Sequence, residues 1–139
     1  GPFNVQLQAA RYKYDPQNPV GISDDTVELG AFAWSYPIAS KAWLYIGNVA
    51  YTIPVSWGPI SSLQFYNDFS MLDKDKDEYK TSYLNTTGCL VSANPVYIYV
   101  DWIMGKNAIW VGGPNNSLAA GDPDADWNYM FNVNIGYYF

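Results

Sequence analysis

The last thirteen residues, Trp127 to Phe139, constrain this chain more than any other stretch. They read W-N-Y-M-F-N-V-N-I-G-Y-Y-F, with Trp127, Tyr129, Phe131, Val133, Ile135, Tyr137 and Phe139 on one side of a two-residue period. Asn128, Met130, Asn132, Asn134, Gly136 and Tyr138 take the other side. Alternation this strict predicts a strand with one apolar and one polar face. Thirteen residues extend roughly 40 Å at about 3.3 Å each, longer than a small soluble core needs.

The apolar side is aromatic at both ends and aliphatic at Val133 and Ile135. Rings with one wet edge favour the two interfaces of a bilayer, which a tilted strand crosses in about 9–11 residues. The alternative is a terminal strand of a soluble β-sandwich. No stretch approaches eighteen consecutive apolar residues, so a transmembrane helix is not expected. Hydrophobic residues make up 49% of the 139, yet mean hydropathy is −0.16. A membrane barrel gives that combination, because every second residue faces water. Aromatics reach 18%, with thirteen Tyr and six Trp, which favours strands with interfacial positions.

Alternation predicts further strands over Phe3–Tyr14, Thr26–Tyr36, Lys41–Val55, Ile60–Leu72, Ser82–Ser92 and Val96–Met104. Pro37 and Pro54 are expected to end regular pairing. Asn67 interrupts the Leu63, Phe65, Phe69, Met71 face, as a bulge or a protein-covered position would. Short connections at 56–59 and 93–95 alternate with long ones at 73–80 and 105–126, as in outer-membrane barrels. The 15–25 connection is too long for a periplasmic turn, and 37–40 is short for an outer loop. The expected fold is therefore all-β, an antiparallel transmembrane β-barrel with about seven or eight strands in one domain. Because single-chain bacterial barrels have even strand numbers, seven points either to two strands merged within Lys41–Val55 or Gly105–Trp110, or to the C-terminal portion of a larger barrel, the reading preferred here.

Three segments carry a family resemblance: G-P-I-S-S-L-Q-F-Y-N-D-F-S (58–70), V-Y-I-Y-V-D-W-I-M-G-K-N (96–107) and F-N-V-N-I-G-Y-Y-F (131–139). Together they resemble the C-terminal part of bacterial general porins and porin-like proteins, including those labelled phosphate-selective. The terminal Phe139, with Phe131, Val133, Ile135 and Tyr137 before it, resembles the assembly signal of such barrels. The resemblance implies a Gram-negative outer-membrane barrel, commonly a homotrimer, passing small polar solutes by diffusion. Its implied partners are outer-membrane lipid, lipopolysaccharide and the barrel assembly machinery.

The residues themselves leave little room for catalysis. With no His, neither a Ser-His-Asp nor a Cys-His arrangement is available. The lone Cys89 reads as a packing residue, and no cofactor is expected. A net charge of −6 with seven Lys plus Arg disfavours nucleic acid. Gly112-Gly113-Pro114 lacks the Lys-Ser/Thr of a phosphate loop. Asn85-Thr86-Thr87 and Asn115-Asn116-Ser117 match the glycosylation acceptor pattern, which would bear on function only in a secreted eukaryotic domain. Asp73, Asp75 and Asp77, and Asp122, Asp124 and Asp126, are spaced as weak Ca²⁺ candidates, but the first set lacks the Gly and Glu an EF-hand loop needs. Charged pore-lining candidates are Glu28, Asp68 and Asp101, with Arg11, Lys13 and Lys106 near strand ends. No ladder of Arg and Lys is present, so mildly cation-favouring passage is expected. The competing readings are a soluble β-sandwich that stacks sugars on exposed aromatics, and a small eight-stranded structural barrel.

Overall fold

A computed structural model describes residues 1–31, 34–111 and 117–139. Phe32, Ala33, Gly112, Gly113, Pro114, Asn115 and Asn116, which the sequence readings above touch, lie outside them. The strands are β1 (Phe3–Lys13), β2 (Thr26–Ala31), β3 (Trp34–Ala39), β4 (Lys41–Trp57), β5 (Ile60–Lys74), β6 (Ser82–Ala93), β7 (Val96–Lys106) and β8 (Asn128–Tyr137). Six form one antiparallel sheet in the order β1-β4-β5-β6-β7-β8, and β2 pairs only with β3.

The stretch expected as one strand over Thr26–Tyr36 is therefore two, paired from Thr26↔Ala39 to Ala31↔Trp34. This removes the odd count and both misplaced connections. The whole 14–40 excursion, hairpin included, joins β1 to β4 at the same end as 75–81 and 107–127. The two-residue turns 58–59 and 94–95 lie at the other end, beside Phe3 and Tyr137.

Neither proline ends its strand. Thr52 donates its N–H to the Pro2 carbonyl (2.9 Å), so Pro54, two residues on, turns its missing donor past the end of β1. The ladder shifts register only beyond it, between Pro54 and Trp57. Pro37 likewise faces away from β2, where its carbonyl accepts the Leu118 N–H (3.2 Å).

Register puts the apolar rows together. Val5, Val49, Val100 and Val133 share one face with Phe3, Tyr51, Phe65, Trp102 and Ile135. Rings gather at both ends of that face. Trp43 stacks on Tyr45 (6.0 Å) and Tyr83 meets Trp127 (6.0 Å) near the long loops; Phe3 meets Tyr51 (4.5 Å) and Tyr137 meets Phe139 (6.1 Å) near the short turns. The eight-residue step from Tyr129 to Tyr137 spans about 20–26 Å depending on tilt, the scale of a lipid-facing band.

Among the described residues, none covers this face. Leu7 is 84% exposed, Ile135 68% and Val133 50%. The chain exposes 9025 Å², about a quarter more than the roughly 7,250 Å² expected of a soluble monomer of its 15.6 kDa. The buried apolar residues Ile38, Ala39, Ala42, Ala108, Val111 and Ala119 cluster instead at the long-loop end, and Ala50 is buried apart from them, beside Asn4. There Leu29 and Ile38 of the hairpin, with Ile109 and Leu118, enclose about 290 Å³ against Leu44 and Leu72 on the opposite face of the sheet.

Asn67 breaks the apolar face as part of a cluster. Its amide donates to Asn85 Oδ1 (3.0 Å) and Thr87 Oγ1 (2.7 Å), and Asn85 donates back (3.1 Å). Asn85-Thr86-Thr87 is thus mid-strand, not a loop acceptor. Asn67→Leu leaves the Asn85 side-chain N–H without its acceptor, while Thr87 still donates to Asn85 Oδ1 (3.3 Å), and is expected to cost about 1–3 kcal/mol. Asn67→Leu/Asn85→Leu together recover most of that loss, as urea unfolding would show.

The sheet is open, since β1 and β8 each pair on one side only. All-β antiparallel architecture is established, and a closed barrel is not formed by these six strands. Among the described residues, only the two-stranded β2–β3 sheet packs on a face of the six-stranded one, at the long-loop end, and no second sheet covers the apolar face.

Candidate functional site: a polar hollow on the inner face

The face opposite the aromatic belts carries a hollow of about 540 Å³ toward the short-turn end. Asn48, Tyr66, Asp68, Tyr99 and Asp101 line it, with Asn4, Gln6 and Gln64. It exists because even-numbered positions of β1, β4 and β5 share this side with the odd-numbered end of β7, a consequence of register alone.

Asp68 and Asp101, predicted on the polar faces of non-adjacent strands, meet in this one hollow. Each is held by neutral donors. Asn48 donates its side-chain amide to Asp68 across the β4–β5 ladder. Tyr66 donates its hydroxyl to one Asp101 oxygen, and Asn132 donates to the other (3.2 Å). Gln64 donates to Thr52 (2.9 Å).

The Tyr66–Asp101 bond crosses β6 above Gly88, which pairs with both residues. A Cβ on Gly88 would lie 2.5 Å from Asp101 Oδ1 and 2.5 Å from both Cζ and Oη of Tyr66. Gly88 is therefore glycine for space, and its φ is not in the left-handed region. The row Tyr66–Gly88–Asp101–Asn132 ties four strands together and escaped sequence reasoning. Its only trace in the sequence was a Gly inside a strand, the sign of a close approach.

The other pore-lining candidates stand elsewhere. Arg11 shares parity with Phe3 and Val5, so it lies on the apolar-face row. Its guanidinium sits 5.2 Å over the Trp43 ring and pairs with Asp75 at 2.7 Å. Lys13 is on the same row, 3.5 Å from Asp15. Lys106 has the parity of Val100 and Trp102 and faces the same way, opposite Tyr83. Glu28 belongs to the separate hairpin, opposite Pro37.

All seven Lys and Arg residues lie at the long-loop end, on the last turns of β1, β5 and β7, the start of β4, or in 75–81. Among the described residues, neither Asp68 nor Asp101 has an ion-pair partner, and the pairs that form involve Asp15, Asp25, Asp75 and Glu78. The acidic triplets do not assemble. Asp75 is taken by Arg11, Asp73 accepts from Thr81 (3.3 Å), and Asp122 accepts the Asp124 N–H (2.9 Å). Among the described residues, no three His, Cys, Asp or Glu side chains converge on a metal position.

Charge also ties the long loops. Lys76 donates to Asp25, whose carboxyl is held below its ordinary 3.8, first by that bond and then by Ser23. A depressed carboxylate contributes fully above its unfolded value and is lost as pH falls through its folded value. Exchange protection of the Ser40 amide, which donates to the Asp25 carbonyl (2.7 Å), should therefore hold at neutral pH and decline only below about pH 3.8.

Strand β8 is one edge of the sheet, with Phe131, Val133, Ile135 and Tyr137 on its exposed apolar side and Phe139 just beyond its end. No family model, curated protein or solved structure matches this chain.

Proposed function

We propose that the six-stranded sheet is part of the wall of an outer-membrane, porin-like barrel that passes small polar solutes or ions passively. One observation carries this reading: an exposed, aromatic-bounded apolar face, interrupted by the Asn67–Asn85–Thr87 cluster, is backed by a polar face with an open hollow. In a bilayer, the free edges of β1 and β8 would leave backbone groups unpaired, so the wall must close. Six strands fall short of the roughly eight whose interior side chains just fill. Further strands therefore join at β1 and β8. Those two strands run antiparallel to each other, because six is even, so an even number of added strands keeps the pattern.

On this reading the long-loop end faces the exterior, where lipopolysaccharide sits beside the Arg11, Lys13 and Lys106 rows. Phe131 through Phe139 serves the assembly machinery, and subunits associate as a homotrimer. Asp68 and Asp101, unopposed by cations, make passage mildly cation-favouring.

The test is conductance of the completed barrel, these six strands with those that join β1 and β8, in a planar bilayer under asymmetric KCl. Discrete steps with a reversal potential displaced toward the cation side are expected. A strong anion preference contradicts the role given to Asp68 and Asp101, and a chain that stays monodisperse without detergent and never conducts contradicts the pore.

A further inference from the structure

We propose that the hollow is a binding subsite for neutral, hydroxyl-rich solutes, namely polyols and short saccharides. The proposal rests on the pore reading for its setting and on the hollow's own chemistry for its ligand.

A hydroxyl group donates one hydrogen bond and accepts others, so it is matched by side chains that do both. The hollow offers four amides, Asn4, Gln6, Asn48 and Gln64, and two phenols, Tyr66 and Tyr99. Gln6 donates to Asn4 (3.1 Å) and Gln64 to Thr52 (2.9 Å), which holds those amides in place and leaves further donor and acceptor positions on each. Asp68 and Asp101 add acceptors. A carboxylate has about four lone-pair positions, and here one or two are engaged by neutral neighbours. The rest suit a hydroxyl donor.

The same lining disfavours anions. Phosphate and carboxylate recognition relies on Arg or Lys forks. No cation lines the hollow, and all seven of the chain's cations sit at the far end of the sheet. An anion entering here would meet two carboxylates that no cation neutralises. Tyr66 and Tyr99 add aromatic rings to the lining, against which the C–H side of a sugar would pack and which an amide-only site lacks. The volume, about 540 Å³, falls within the roughly 300–1,000 Å³ of small-molecule sites. Because the hollow is open and its contacts are side-chain hydrogen bonds, affinity should be on the order of millimolar.

The test uses the whole chain folded in detergent micelles, with maltotriose as the neutral probe and glucose 6-phosphate as the anionic one. NMR should show saturable, millimolar shifts for maltotriose at the hollow residues, and none that saturate for glucose 6-phosphate. Tyr99→Ala, a residue outside the Asp101 hydrogen-bond row, should weaken maltotriose about three- to tenfold, the scale of one lost ring contact. Asp68→Lys should weaken it further and admit glucose 6-phosphate. Absence of saturable maltotriose binding in the folded chain, or equal binding of glucose 6-phosphate, overturns the proposal. A chain that conducts in bilayers but fails the maltotriose test loses this site alone, and one that binds maltotriose but never conducts keeps the site and loses the pore.

Discussion

Val133→Lys is expected to destabilise the folded chain in lipid vesicles by about 2–4 kcal/mol, read from urea unfolding. Val133 lies midway along the edge strand β8, between the Trp102-Phe131 and Ile98-Ile135 pairs on the apolar face, and is 50% exposed. If that exposure were to water, a lysine there would change stability by only about 0.5 kcal/mol. If it is to hydrocarbon, the ammonium must leave water at the least tolerant depth. Asn134→Lys, one residue on, turns to the polar face and should be close to neutral. The contrast between neighbours separates a lipid-facing strand from a merely exposed one.

Gly88→Ala should cost about 1.5–3 kcal/mol through a hydrogen bond it does not make. The new Cβ would stand 2.5 Å from the tips of Tyr66 and Asp101, and both are side-chain ends able to swing aside. What is lost is the charge-assisted bond between them, worth about 1.5–3 kcal/mol, with the lower figure nearer in a wet hollow. Tyr66→Phe removes the same bond but leaves the ring. Tyr66→Ala removes the obstacle as well, so adding Gly88→Ala to Tyr66→Ala should cost markedly less than Gly88→Ala alone. Full additivity of the two would show that Gly88 is glycine for some other reason.

Much of this was legible from period two alone. Face assignments for β1, β4, β7 and β8 follow from alternation, and the register agrees with them. Arg11, Lys13 and Lys106 carried the parity of the apolar rows in the sequence itself, and their closeness to strand ends obscured it. Other features were out of reach. β2 and β3 pair with each other although the sequence between Ala31 and Trp34 holds no Gly, Pro, Asn or Asp, so one alternating run read as one strand. That β1 pairs with β4 across the hairpin is a long-range choice that no local pattern encodes. Pro37 and Pro54 looked like stops because sequence cannot say which edge a missing N–H faces. Asn67 had no visible reason until β6 brought Asn85 and Thr87 beside it. The meeting of Asp68, Tyr66 and Asp101 depends on the registers of β5, β6 and β7 together, which composition cannot supply.

Single cysteines placed from Tyr129 to Tyr137 in a Cys89→Ser background, nitroxide-labelled in liposomes, test the orientation of the sheet most directly. Collision with oxygen, which concentrates in lipid, should peak at Phe131, Val133 and Ile135. Collision with a polar nickel chelate should peak at Asn132 and Asn134 between them. Odd positions shielded from both reagents, or reached mainly by the chelate, would mean that protein or water, and not hydrocarbon, covers that face.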